Sequence, residues 1–428
     1  LPFISLSFVS ATPLSFDASF NELDQLLNEW QWLWHEVPFK QPQLPWFIRF
    51  PHWQNVMDGI DDNLLERLAT DMDALYTFAR DKLGVHIDPR FYRLTNTRLT
   101  STRPSAVPDT ETHTVRTVSE NPPGIRPRKW SQISAFGDAL QAAVGTEPHN
   151  IVEWCAGKGH LSRQLLTLGL SHQATGLEIN PHLVSDGQQL ANDEQLALHL
   201  IQQDVLDNSV SRFCAGDSHH VALHACGRLH VSMLQHCSAA PVRAIDLVPC
   251  CYHLIDSTTY SPLSLRARQS ALRFDDDALK LALQETVTAP GNARRNRERL
   301  QQWRLGFDCL QRDLRSTADY LPLPSFSVTQ AGADFRAFCA RCAELRCIVL
   351  PAYIDYAKYE AAGRKRFAQV SRYDLIRQLF RRPLELWLVF DRCLLLEERG
   401  YDVTLQEFCA RELTPRNLWI HARRPTKT

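Results

Sequence analysis

Between Asn150 and Pro249 the chain alternates strand-like apolar runs with stretches of helical period: NIVEW, HLSRQLLTLGL, ATGLEI, PHLVSDGQQLANDEQ, LHLIQQD, VALHAC, HVSMLQHCSAA and VRAIDLVP. A period of two and a period of 3.6 cannot exchange places without turning apolar sides to water. The alternation therefore predicts a parallel α/β sheet covered by its own crossover helices. In an open sheet of this kind ligands bind beyond the carboxyl ends of the strands, so the strand tips are where function should lie.

The first tip reads EWCAGKGHLS (Glu153–Ser162) and places Gly157 and Gly159 in the turn between strand and helix. Missing side chains there permit a tight turn and let a ligand approach the main chain. Glu178 ends the second strand, 21 residues after Gly157, and Asp204 ends the third. Those positions suit an acid taking two ribose hydroxyls and an acid accepting from an adenine amino group, near the ~20-residue spacing of a nucleoside-binding βαβ unit. Either acid alone can be a helix cap. Together with the glycine turn they predict a nucleoside site, and Ser162, where a dinucleotide site prefers a third glycine, argues against a pyrophosphate.

EWCAGKGHLS has the form of motif I in S-adenosylmethionine (SAM) methyltransferases. With LHACG (Leu223–Gly227), PCCYH (Pro249–His253) and LTPRNL (Leu413–Leu418), the chain resembles the methyltransferase family found in the glutathione S-transferase C-terminal-domain-containing protein and its methyltransferase-like relatives. More distantly it resembles tRNA 2′-O-methyltransferases that carry a Cys-Cys-His segment. PRKWSQI (Pro127–Ile133) resembles the segment preceding motif I, and the likeness covers about Pro127–Tyr260 and Leu379–Arg424. It implies a Rossmann-like methyltransferase domain with SAM held by Glu153, Cys155, Gly157, Gly159, Glu178, Asp204 and His224. One position departs: the family pattern H-x-C-G-D-L reads HACGRL here, with Arg228 in place of the acid.

VALHAC is the fourth strand and AIDLV the fifth, so Cys226 and the set Cys250, Cys251, Tyr252 and His253 leave neighbouring tips beside the predicted SAM site. That is the side of the methyl acceptor, and Cys250, Cys251, Tyr252 and His253 are the candidate catalytic set. Tyr252 or His253 can align an acceptor or take its proton. A thiol can attack a pyrimidine ring, the cysteines and His253 can hold a metal, or Cys250 and Cys251 can be small buried hydrophobes. No metal is expected. CARCAELRC (Cys339–Cys347) has helical character and reads as a buried helix.

Around this core, Phe20–Val37 and Asp61–Leu83 carry apolar faces at helical spacing, which predicts a helical accessory domain over 1–97. A Ser/Thr/Pro-rich linker is expected over 98–126, the SAM-binding core over 127–255, a helical insertion over 256–398 and a strand pair completing the sheet over 399–428. The formal net charge of −1 leaves no global field for nucleic acid, so any RNA surface must be a local patch. Arg294, Arg295, Arg297, Arg299 and Arg304, followed by GRKRF and RQLFRR, are the candidate for it. RNA, tRNA first, is the expected acceptor; a protein or small molecule, or a degenerate scaffold subunit, are the alternatives. Twelve cysteines without a secreted-domain framework suggest a reducing cytosol. The apolar start lacks a basic n-region, no run is long enough to span a membrane, and with no initiator methionine the true N-terminus is expected to lie elsewhere.

Overall fold

The computed structural model describes residues 15–92, 99–100, 122, 124–144, 150–284, 291–327 and 329–425. Most of the stretch expected to be a linker, and the first fourteen residues, lie outside that set. The chain divides into two compact units, one of Leu1–Asn28, Pro89–Leu283 and Arg382–Thr428, the other of Glu29–Asp88 and Gln284–Arg381. This redraws the expected boundaries at 97, 256 and 398. The helix Phe16–Glu29 sits almost wholly with the sheet because Phe16 and Phe20 pack on Phe390 and Trp387, at centroid distances of 5.9 and 5.1 Å. Asp24 fixes the same contact by accepting from Trp387 Nε1 at 2.8 Å.

The sheet unit contains β1 (Asn150–Trp154), β2 (Ala174–Glu178), β3 (Leu198–Gln202), β4 (Ser218–Ala222), β5 (Ala244–Leu247), β6 (Asp402–Glu407) and β7 (Leu418–Arg423). Leu99–Thr100 pairs antiparallel with the outer edge of β6. The order is β3-β2-β1-β4-β5-β7-β6, with β1 to β5 parallel and β7 antiparallel to both its neighbours. Helices His160–Thr167, Pro181–Asp193 and Arg228–Ala239 make the crossovers. This is the expected Rossmann-like arrangement: the winding reverses between β1 and β4, which opens a crevice at their carboxyl ends. β4 and β5 are buried at every position, as strands covered on both faces must be.

Helix Pro127–Val144 closes one face, with Phe136 edge-on to Phe408 and Trp419 at 5.6 and 5.7 Å. Asp246 of β5 is fully buried in the sheet yet has polar partners: Trp419 Nε1 at 2.6 Å, His421 Nδ1 at 2.7 Å and His219 Nε2 at 2.5 Å. Burial alone would raise its pKa, but His421 and His219 hold it well below the usual carboxylate range.

In the second unit the expected helix over Asp61–Leu83 is broken. Asp71 ends one helix and caps the next, accepting from Ala74 N at 3.0 Å. The long helices Gly291–Arg315 and Tyr356–Gln378 cross closely at Gly306 and Gly363; a Cβ on Gly363 would meet Gln302 O at 2.3 Å. Cys339 and Cys342 lie on helix Phe335–Leu345, buried with Trp303, Phe307 and Phe338. No helix among the described residues is long and apolar enough to cross a membrane.

Candidate active site

The turn after β1 uses three left-handed residues, Cys155, Gly157 and Gly159, with φ of 58°, 59° and 68°. Gly159 opens the crossover helix, and a Cβ there would meet Leu198 Cδ2 at 2.7 Å. Gly157 is different. A Cβ on it would meet nothing within 4 Å, so that side of the turn is open, while its N–H donates to Glu178 Oε2 at 2.9 Å. The other oxygen of Glu178 accepts from Asn180 N at 3.0 Å, so the main chain holds the half-buried carboxylate at the mouth of the glycine turn. Asp204 stands exposed just beyond β3, its Oδ1 accepting from Leu206 N at 2.9 Å.

Glu153, expected to hold the cofactor, has one carboxylate oxygen engaged within the fold. Its Oε2 accepts from Ser162 N at 2.9 Å and Ser162 Oγ at 2.6 Å, tying β1 to the crossover helix. Burial raises its pKa to about 7 against the pull of those two bonds. It also lines a recess between the tips of β1 and β4, with Lys129, Cys155, His160 and His224. His224 reaches the surface, yet desolvation lowers its pKa to about 4; burial does the same to His160, helped by Arg163, whose guanidinium lies 3.1 Å from Nδ1. Burial, then Glu178, pushes the Cys155 thiol up to about 12. At neutral pH the two imidazoles and the thiol are uncharged. Lys129 and His160 were not singled out from the sequence, although both sit inside quoted motifs, PRKWSQI and GKGHLS.

The CCYH loop is clamped to the tip of β4. Cys226 and Cys250 make a parallel bridge, Gly227 N donates to Cys250 O at 3.0 Å and Arg228 N donates to Leu254 O at 2.9 Å. Only glycine fits at 227: φ is 53°, ψ is −120°, and a Cβ would meet Leu254 O at 2.3 Å. Cys226 Sγ and Cys250 Sγ are 3.4 Å apart, and Cys251 Sγ joins them with all separations within 4.8 Å. Cys226 and Cys250, then His253 and Arg416, hold the half-buried Cys251 thiol below its ordinary range, while the same sulfur contacts raise Cys250.

Tyr252 corrects the expectation. It is 1% exposed, its hydroxyl donates to Pro249 O at 3.4 Å, and the Arg392 guanidinium lies 5.0 Å over its ring. Its ring is packed within the fold beneath the loop. His253 is half-buried, and its Nδ1 is buried without a hydrogen-bond partner among the described residues. Arg228, the departure from the family pattern, is exposed and pairs with Asp256 at 2.5 Å.

Residues 128–258 match the family model of a methyltransferase domain. The matched span holds β1 to β5, the glycine turn and the CCYH loop, so the chain carries a SAM-dependent methyltransferase domain of Rossmann-like type. Among solved structures, the 23S rRNA methyltransferase ErmE is similar at 18% identity over 28% of this chain and 46% of its own, with a TM-score of 0.21. The magnesium protoporphyrin IX methyltransferase ChlM from Synechocystis PCC 6803, solved with bound SAH, is similar at 16% identity over 46% of this chain and 74% of its own, with a TM-score of 0.24. The match thus spans less than half the length of the rRNA enzyme.

In the helical unit, several arginines of the expected RNA patch have intramolecular work. Arg294 pairs with Glu298 and Glu66 at 3.0 and 3.2 Å, and Arg304 donates to the carbonyls of Leu323 and Pro324 at 2.8 and 2.9 Å. Arg377 is buried against Trp34 O. Arg297 and Arg299 are exposed, with Arg299 5.1 Å over the Trp303 ring.

Proposed function

We propose that the chain transfers a methyl group from SAM to RNA. The observation that carries the cofactor assignment is the open face of Gly157 beside the fixed carboxylate of Glu178. The donor set fits the cofactor: Glu178 suits the ribose hydroxyls, the exposed Asp204 suits the adenine amino group, and Lys129 at the recess suits the amino-acid carboxylate. When bound, SAM supplies a methyl group activated on a sulfonium. The protein's part is to hold the acceptor beside that group and exclude water, with the CCYH loop at the neighbouring strand tip forming the acceptor side.

RNA is favoured by the exposed Arg297 and Arg299 and by the family resemblance, which extends to tRNA enzymes. The test is transfer of labelled methyl from SAM to an extract of cells lacking the protein, followed by separate nuclease and protease digestion. Label released by nuclease is the expected result. Protease-sensitive label would overturn the RNA acceptor, and SAM binding without any label would overturn catalysis.

A further inference from the structure

We propose that Cys226, Cys250 and Cys251 form a zinc site at the tips of β4 and β5, which His253 would complete by a turn of its side chain. Three thiols converge there with all sulfur separations within 4.8 Å and one of 3.4 Å. A tetrahedral zinc with Zn–S bonds of ~2.3 Å needs sulfurs about 3.8 Å apart, which lies inside that range. The backbone is arranged to permit it. Extended backbone would send adjacent side chains to opposite sides, but Cys251 adopts φ 51°, a conformation L residues rarely take, and its sulfur joins that of Cys250. Two residues on, the Nδ1 of His253 is buried with no hydrogen-bond partner among the described residues, and a buried polar atom left unpaired calls for an explanation. The group of atoms within 4.8 Å of one another is the three sulfurs alone, so a turn of the imidazole toward them would give this nitrogen its missing bond.

A second thiol cluster gives the contrast. Cys214, His220 and Cys237 are equally close, but both nitrogens of His220 are taken, by Trp154 Nε1 and by Ser218 Oγ, each at 2.9 Å. It has no imidazole to offer. At the strand tips, Zn²⁺ enters as three thiol protons leave to solvent; His253 binds through a neutral lone pair, and no oxidation state changes. The site would fix the wall of the acceptor side. It stands independently of SAM binding.

The experiment counts metal in the purified full-length chain by plasma mass spectrometry, before and after equilibration with zinc chloride and removal of loose metal by gel filtration. About one zinc ion per chain is expected, released as thiols are titrated with a mercurial. Cys251→Ser and His253→Ala should each weaken zinc affinity more than about tenfold, since even outer-shell losses cost that much. Cys214→Ser should leave it unchanged, and circular dichroism confirms that each variant is folded. Folded protein that takes up no zinc, zinc retained equally by the Cys226→Ser/Cys251→Ser double variant, or a Cys226–Cys250 disulfide found after alkylation at lysis would overturn the proposal.

Discussion

Gly157 and Gly159 share a left-handed backbone but serve different ends. Gly159 is packed against Leu198, so Gly159→Ala should lower the melting temperature through that clash. Gly157 has no neighbour to strike, and its replacement acts on the ligand side. Gly157→Asp should cost about 1–2 kcal/mol of stability for the left-handed residue and at least about a hundredfold in SAM affinity by calorimetry, because a second carboxylate would stand beside Glu178. Glu153 supplies a pH signature. Its folded pKa of about 7 lies above the usual glutamate value, so the folded chain keeps a proton that the unfolded chain has released. That contribution is full below about pH 4.3 and is lost as pH rises through 7, a change of up to about 3 kcal/mol. Urea unfolding at pH 5 and pH 8 should show it, and Glu153→Gln should flatten the difference.

The strands and the glycine turn were readable from the sequence because their signals are local: period two in NIVEW and AIDLV, two glycines between strand and helix. The strand pair expected at Tyr401–Phe408 and Asn417–Arg424 forms at Asp402–Glu407 and Leu418–Arg423 for the same reason. Tyr252 was misread because what buries it, Arg392, comes from a helix far along the chain. Likewise, nothing near Arg304 in sequence announces that Leu323 and Pro324 will take its guanidinium. Asp71 could have been found, since an aspartate inside a helical pattern is a capping signal. Two tests belong to these elements. Gly227→Ala should destabilise the protein by at least about 1–3 kcal/mol of backbone strain and speed amide exchange at Arg228, whose N–H bonds the loop. Asp246→Ala should cost about 3–5 kcal/mol, because it strands two histidines and an indole in the sheet.

Both units are stitched from distant parts of the chain, and that shapes what truncation does. Tyr76 donates to Leu379 O at 2.6 Å, Arg377 to Trp34 O at 3.0 Å and Tyr373 to Asp58 at 2.6 Å, so the helices of Glu29–Asp88 and those of Gln284–Arg381 form one core. Removing residues 1–92 should therefore leave a helical unit that cannot fold and a sheet unit with Trp387 uncovered; loss of a cooperative melt, restored by co-expressing 1–92 as a separate chain, is the expected outcome. The same threading sets a schedule for synthesis. The helices before residue 88 leave the ribosome roughly ten to forty seconds before their partners after 284, at elongation rates of about 5–20 residues per second. In that interval their tryptophan-rich faces have nothing to cover them. The sheet waits longer still, because β7, which separates β5 from β6, is made only after the whole helical stretch that follows β5. Neither unit can close until its distant segment has been made, which makes the nascent polypeptide a natural client for chaperones that shield apolar helices.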